Sequence, residues 1–261
     1  MHENRMRHGN SAGNSAGSNS GNNAADLSAV KALVFDVFGT VVDWRTSVIA
    51  DLSAFGRNKG IEADWTAFAD AWRAGYVPGM ERVRKGERPW ANIDVLHRER
   101  LDALLDQFGI EDLSEAEKDY LNRAWHRLCG WPDTVPGLTR LKQRYIISTF
   151  SNGSVQCLVD TAKHAGLPWD AVFSADIVRH FKPEAEIYQG VMAFLDLQPQ
   201  EVMLVAAHNN DLRHGRSHGM RTAYVNRPTE YGPNQAKDLA AESDWDVVVD
   251  SLTALAERLG V

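Results

Sequence analysis

The sequence predicts an α/β protein: a doubly wound parallel sheet with a helical segment inserted after its first strand. Three observations predict it. Short apolar runs at 30–35, 145–150, 201–207, 222–225 and 247–249 alternate with helical patterns. Residues 46–128 instead read almost entirely as helix. Finally, the first three of these runs lead into polar residues, as strands of an open α/β sheet do where they meet a ligand.

Val30-Lys31-Ala32-Leu33-Val34-Phe35 has five apolar residues of six, which suits a strand buried on both faces. It ends at Asp36, and Gly39 lets the backbone turn sharply. Helical spacing follows at Ile49, Leu52 and Phe55. A second helix is expected from Asp64, as N-cap, to Tyr76, with Trp65, Phe68, Trp72 and Tyr76 on one face. A third spans Asn92–Phe108. A fourth spans Ser114–Leu128, opening with the capping box Ser114-Glu115-Ala116-Glu117. Pro132, Pro136 and Gly137 mark a boundary. After it come a short helix at 138–143, the strand 145–150 and a helix from Val155. Short β-like pieces at 171–173 and 175–178 are followed by a helix at 186–195. The last segments are the strand 201–207, a helix reaching Gly219, and the strands 222–225 and 247–249. The domains predicted are a core of 26–45 plus 129–261 and a cap of 46–128. Residues 1–25 are low in complexity and read as a disordered tail.

The 261 residues carry a net charge of −7 and 44% hydrophobic content. The size supports a substantial core, and the charge argues against nucleic acid and anionic membranes as partners. Two cysteines, Cys129 and Cys157, fit a reducing cytoplasm. No apolar run approaches the ~20 residues of a membrane span, and no secretory h-region is present. Aromatic residues in the cap suggest a homodimer. His97, His126, His164, His180, His214 and His218 share no ligand spacing, so no metal site is assigned.

In a parallel sheet the C-terminal strand ends share one edge. Asp36, Ser151-Asn152 and Asp211 should therefore converge, with Lys182 from an intervening loop. Alone, Asp36 would read as a turn cap; the constellation argues for chemistry.

This constellation resembles the haloacid dehalogenase superfamily, and within it the type II L-2-haloacid dehalogenases, over about residues 30–255. The resemblance rests on Asp36 with Thr40, then Ser151-Asn152-Gly153, Phe181-Lys182-Pro183 with Tyr188, Asp211, and Arg73 in Ala71-Trp72-Arg73. It implies a Rossmann-like core with a cap. It also implies catalytic roles for Asp36, Thr40, Lys182, Tyr188, His208, Asn209 and Asp211, and substrate binding by Val37, Phe38, Arg73, Ser151 and Asn152. Most of the superfamily are Mg²⁺-dependent phosphatases with a second Asp two residues after the nucleophile. Phe38 stands there in this chain and cannot act as acid or base. Ala207 stands where those enzymes place a metal-binding carboxylate. The resemblance therefore implies a cofactor-free hydrolase: Asp36 displaces halide from a 2-haloacid, and water cleaves the resulting ester to a 2-hydroxy acid. A phosphatase and a non-catalytic binding protein are the alternatives. His208 replaces an amide of the family's Ser-Ser-Asn stretch, in Ala206-Ala207-His208-Asn209-Asn210-Asp211, and is expected to act as a second base or to reshape the pocket.

Overall fold

In a computed structural model, residues 27–261 are described; the predicted tail lies outside them. The chain runs through β1 (Ala32–Phe35), β2 (Val42–Asp43), α1 (Trp44–Lys59), α2 (Trp65–Ala74), α3 (Tyr76–Arg84), α4 (Ile93–Gln107) and α5 (Glu115–Asn122). It continues through β3 (Cys129–Gly130), α6 (Thr134–Leu141), β4 (Ile146–Ser151), α7 (Val155–Ala165), β5 (Ala171–Ser174), α8 (Ala175–Val178) and α9 (Ala185–Leu195). The last elements are β6 (Val202–Ala206), α10 (Asn209–Ser217), β7 (Arg221–Val225), β8 (Val247–Val249) and α11 (Leu252–Arg258).

Six strands form one parallel sheet in the order β5-β4-β1-β6-β7-β8. The central strand β1 pairs Phe35 with Thr149 on one side and with Val205 on the other. All four of its residues are buried, as expected of a strand covered on both faces. Alternation splits them: Leu33 and Phe35 join the apolar cluster of Ile147, Met203, Val205 and Leu52, while Val34 joins Phe150, Leu204 and Ile187 on the other face. The doubly wound sheet and the inserted helices match the predicted fold class.

The cap helices begin as the side chains dictate. Asp64 accepts the Ala67 N–H at 2.9 Å, and Ser114 and Glu117 form the expected capping box. The expected fourth helix is shorter than predicted: it stops at Asn122 and tightens to a 3₁₀ turn over Arg123–His126. Helix α3 was not anticipated: the expected second helix ended at Tyr76 and the next began at Asn92. Pro78 sits in its first turn, where no intrahelical N–H is needed. The segment 175–178 is a helical turn rather than a β piece, because the Ser174 hydroxyl caps the Asp176 N–H at 3.0 Å. The two-residue strands β2 and β3 pair antiparallel and are too short to show a period. Helix α11, capped by Ser251, also escaped the sequence reading.

Candidate active site

The C-terminal ends of β1, β4 and β6 bring Asp36, Asn152 and His208 to the wall of a cavity of about 450 Å³. Lys182, Tyr188 and Asp211 line it from the core, and Arg73 and Tyr76 from the cap helices.

Asp36 is 7% exposed and has three partners. Its Oδ1 accepts from Lys182 Nζ at 2.9 Å. Its Oδ2 accepts from the Thr40 hydroxyl at 2.8 Å and lies 3.1 Å from His208 Nδ1. The Thr40 oxygen in turn accepts the Ala207 N–H at 2.9 Å, which directs the hydroxyl proton at Asp36. Burial would raise the Asp36 carboxyl, but Lys182, and then His208, outweigh it and hold the group well below the usual carboxylate range. Lys182 also reaches Asp211 Oδ2 at 2.5 Å, while Tyr188 donates to Asp211 Oδ1 at 3.1 Å. Burial would lower the ammonium, yet Asp211 and Asp36 together raise it. The lysine is aimed by its own backbone, whose N–H donates to Asn152 Oδ1 at 2.8 Å.

His208 bridges two carboxylates. Its Nε2 lies 2.8 Å from Glu230 Oε2, and Trp44 Nε1 donates to Glu230 Oε1 at 3.1 Å. Burial would depress the imidazole, but Glu230 and Asp36 raise it to about 10. Glu230 is 1% exposed and is held ionised by His208, Arg73 and Trp44 against the effect of burial. It arrives on the loop after β7. Arg227 pins that loop, donating to the Thr40 carbonyl at 3.0 Å and making a bidentate pair with Asp133 at 2.8 and 2.9 Å. Gly39 admits Glu230: its φ is +88°, and a Cβ there would lie 2.2 Å from the Glu230 carboxyl carbon.

Phe38 lines the cavity, edge-on to Tyr76 at 6.4 Å and to Trp125 at 6.1 Å. Arg73 packs over the Tyr76 ring at 4.1 Å and the Trp44 ring at 5.5 Å, and its buried Nε has no hydrogen-bond partner. Four expected site residues stand back from the cavity lining, though one of them, Thr40, still reaches Asp36 through its hydroxyl. Val37 is a core residue, 1% exposed. The Ser151 hydroxyl accepts the Gly153 N–H at 3.1 Å and shapes the turn that presents Asn152. Asn209 is a correction to the sequence reading. Its amide bonds to Asp238, the Ala240 carbonyl, the Glu242 N–H and Trp245 at 2.9–3.0 Å, so it ties down the 238–245 segment and does not face Asp36.

Glu230, Trp44, Tyr76 and Tyr231 belong to the site and were not singled out from sequence. The strand-end rule that found Asp36 would have flagged the 226–231 loop after β7.

Magnesium does not fit these residues. Asp36 Oδ2 already faces an imidazolium, Oδ1 an ammonium, and Ala207 offers no side-chain carboxylate. Elsewhere among the described residues, Asp94, His126 and Cys157 bring potential ligand atoms within 4.8 Å of one another, a grouping that sequence spacing did not reveal. There His126 is already engaged by Asp94 and Asp160, and burial pushes the Cys157 thiol well up, away from the thiolate a metal needs.

Residues 30–219 match the family model for haloacid dehalogenase-like hydrolase. The chain is 30% identical to the (S)-2-haloacid dehalogenase of Xanthobacter autotrophicus over 76% of each chain. It superposes on the L-2-haloacid dehalogenase PA0810 with a TM-score of 0.85 at 47% identity, covering 88% of this chain and 100% of that one. It superposes on the defluorinating L-2-haloacid dehalogenase Rha0230 with a TM-score of 0.87 at 45% identity, covering 89% and 96%. The convergent strand-end site and these matches agree: this chain belongs to the haloacid dehalogenase-like hydrolases.

Proposed function

We propose that this protein hydrolyses short (S)-2-haloacids to 2-hydroxy acids without a metal, through a covalent ester on Asp36. The observation that carries this reading is an ionised Asp36 whose Oδ1 has Lys182 as its single hydrogen-bond partner, at the wall of a cavity lined with cations. Oδ2 is tied by two donors, so Oδ1 is the better nucleophile. Attack at C2 expels halide, which departs without protonation, and Phe38 can therefore stand where a phosphatase needs an acid. Water cleaves the ester at the Asp36 carbonyl, with Asp211 receiving its proton. Asn152 and the turn before α7 bind the substrate carboxylate near a helix N-terminus. Arg73 offers an unpaired guanidinium N–H to the halide or carboxylate. The names of the matched dehalogenases support the substrate class.

The reading extends to a cap bounded at 46–128 on a core of 26–45 and 129–261. It also extends to a reducing cytoplasm, given free Cys129 and Cys157, and to a homodimer, given exposed cap residues such as Tyr120. No helix of the described residues is long and apolar enough to cross a membrane.

The test is halide release from both enantiomers of 2-chloropropionate and from monochloroacetate, with EDTA present and p-nitrophenyl phosphate in parallel. Chloride from the (S) enantiomer and from chloroacetate, with no phosphate release, is expected. Asp36→Asn should abolish turnover. Mg²⁺-dependent phosphate release, or full activity of the variant, would overturn the reading.

A further inference from the structure

We propose that His208, held as an imidazolium by Glu230, is the oxyanion-stabilising donor of ester hydrolysis, and that Glu230 is its positioning residue. This rests on the dehalogenase reading above.

The imidazole sits between two carboxylates, each an acceptor only when ionised. Glu230 takes its second bond from Trp44 Nε1, which is a donor in every state. With His208, Arg73 and Trp44 holding Glu230 ionised and Lys182 holding Asp36 ionised, both ring nitrogens of His208 carry protons, and neither is free to accept one from water. A protonated His208 next to the nucleophile is unsuited to act as a base, which narrows the sequence expectation. Its Nδ1–H is aimed at Asp36 Oδ2, the same oxygen that the Thr40 hydroxyl addresses. Asp36 and Glu230 flank His208 directly. Arg73 faces Glu230, Lys182 and Asp211 lie beyond Asp36, and Tyr231, Lys237 and Asp238 line the same cavity.

The steps balance. Asp36 Oδ1 bonds to C2 as the carbon–halogen bond breaks, and halide leaves with the electron pair. Asp36 is then a neutral ester whose carbonyl oxygen is Oδ2. Water gives a proton to Asp211 and attacks Cγ, and the carbonyl pair moves onto Oδ2, between the Nδ1–H and the Thr40 hydroxyl. As that pair returns, the Cγ–Oδ1 bond breaks. The departing alkoxide takes the proton from Asp211, and the regenerated Asp36 carboxyl releases its own proton to solvent. The donors stand where negative charge develops, in a buried site, which is where such contacts contribute most. Glu230 keeps the donor charged through the ester stage, when Asp36 no longer can.

The test is a rapid-quench single turnover with (S)-2-chloropropionate, following chloride, 2-hydroxy acid and the mass of the intact protein. In His208→Ala, Lys182 still holds Asp36 ionised. Stoichiometric chloride should appear, the ester should accumulate, and hydrolysis should slow roughly 10²–10³-fold. Equal slowing of both steps, or of neither, would overturn the assignment. In Glu230→Gln the imidazolium loses its second anion, so kcat should fall with rising pH at a midpoint moved from near 10 toward neutrality. A rate in this variant that instead rises with pH would mean a neutral, base-acting His208 and would also overturn it. Absence of any chloride burst from the wild-type protein would remove the dehalogenase reading itself, a result distinct from a burst followed by unaffected hydrolysis in the variants.

Discussion

Replacing Lys182 with Met tests the electrostatic core of the site. The ammonium lies 2.9 Å from Asp36 Oδ1 and 2.5 Å from Asp211 Oδ2, and its side chain is 9% exposed. At an effective dielectric of about 20, a charge pair at the first distance is worth roughly 6 kcal/mol, or about four pKa units as an upper bound. His208 remains beside Oδ2 in the variant, so the expected rise of the Asp36 carboxyl is smaller, about two to three units. The acidic limb of kcat/KM should climb by that amount. Two buried carboxylates then share a site without their common cation, which costs about 3–5 kcal/mol and should lower the melting temperature by roughly 10 °C at pH 7. The size of the pH dependence separates the two proteins. In the wild type the Asp36 carboxyl is depressed on folding, so its contribution is present above the unfolded carboxyl range and lost as pH falls toward the folded value. In Lys182→Met a rise of about two to three units returns the carboxyl to about its unfolded range, so the variant should lose most of this dependence and its melting temperature should change little between pH 7 and pH 4. Thermal melts across that range and pH profiles of kcat/KM read both effects. An unmoved acidic limb with wild-type kcat/KM would refute the reasoning.

Other consequences are as direct. Gly39→Ala puts a Cβ 2.2 Å from the Glu230 carboxyl carbon at a φ of +88°. The left-handed backbone costs about 1–2 kcal/mol and the overlap about 1–3 kcal/mol, so denaturant melts should show a loss of at least about 2 kcal/mol, with activity reduced besides. Asn209→Ala should lower stability by about 1–3 kcal/mol, through unpaired partners in the 238–245 segment, while leaving the rate of ester formation near wild type; a burst slowed tenfold would contradict its placement. Chelation by EDTA should leave chloride release unchanged, because Ala207 supplies no metal-binding carboxylate and Asp36 is already paired with Lys182 and His208, and loss of activity restored by Mg²⁺ would contradict this.

Much of this protein was legible in its sequence. Val30–Phe35 could be read as a central strand because an apolar run closed by a carboxylate has few other uses. Parallel topology then forces strand ends together, so Asp36, Asn152, Asp211 and the intervening Lys182 converge as expected. Caps at Asp64 and Ser114 are local chemistry and needed no tertiary information. Tertiary structure decided three other matters. His208, Asn210 and Asp211 line the cavity while Asn209 among them turns to the 238–245 segment, because successive residues at a helix start diverge by about 100°. Arg73 turned inward onto Trp44 and Tyr76, where a helix arginine would ordinarily meet water. Glu230 met His208 from an irregular loop with no periodicity to read, held by Arg227 and admitted by the missing side chain of Gly39. Sequence patterns report which residues share an element and where it ends. Which buried carboxylate meets which cation is set by packing between loops distant in the chain, and that packing determined the charge state of the residue beside the nucleophile.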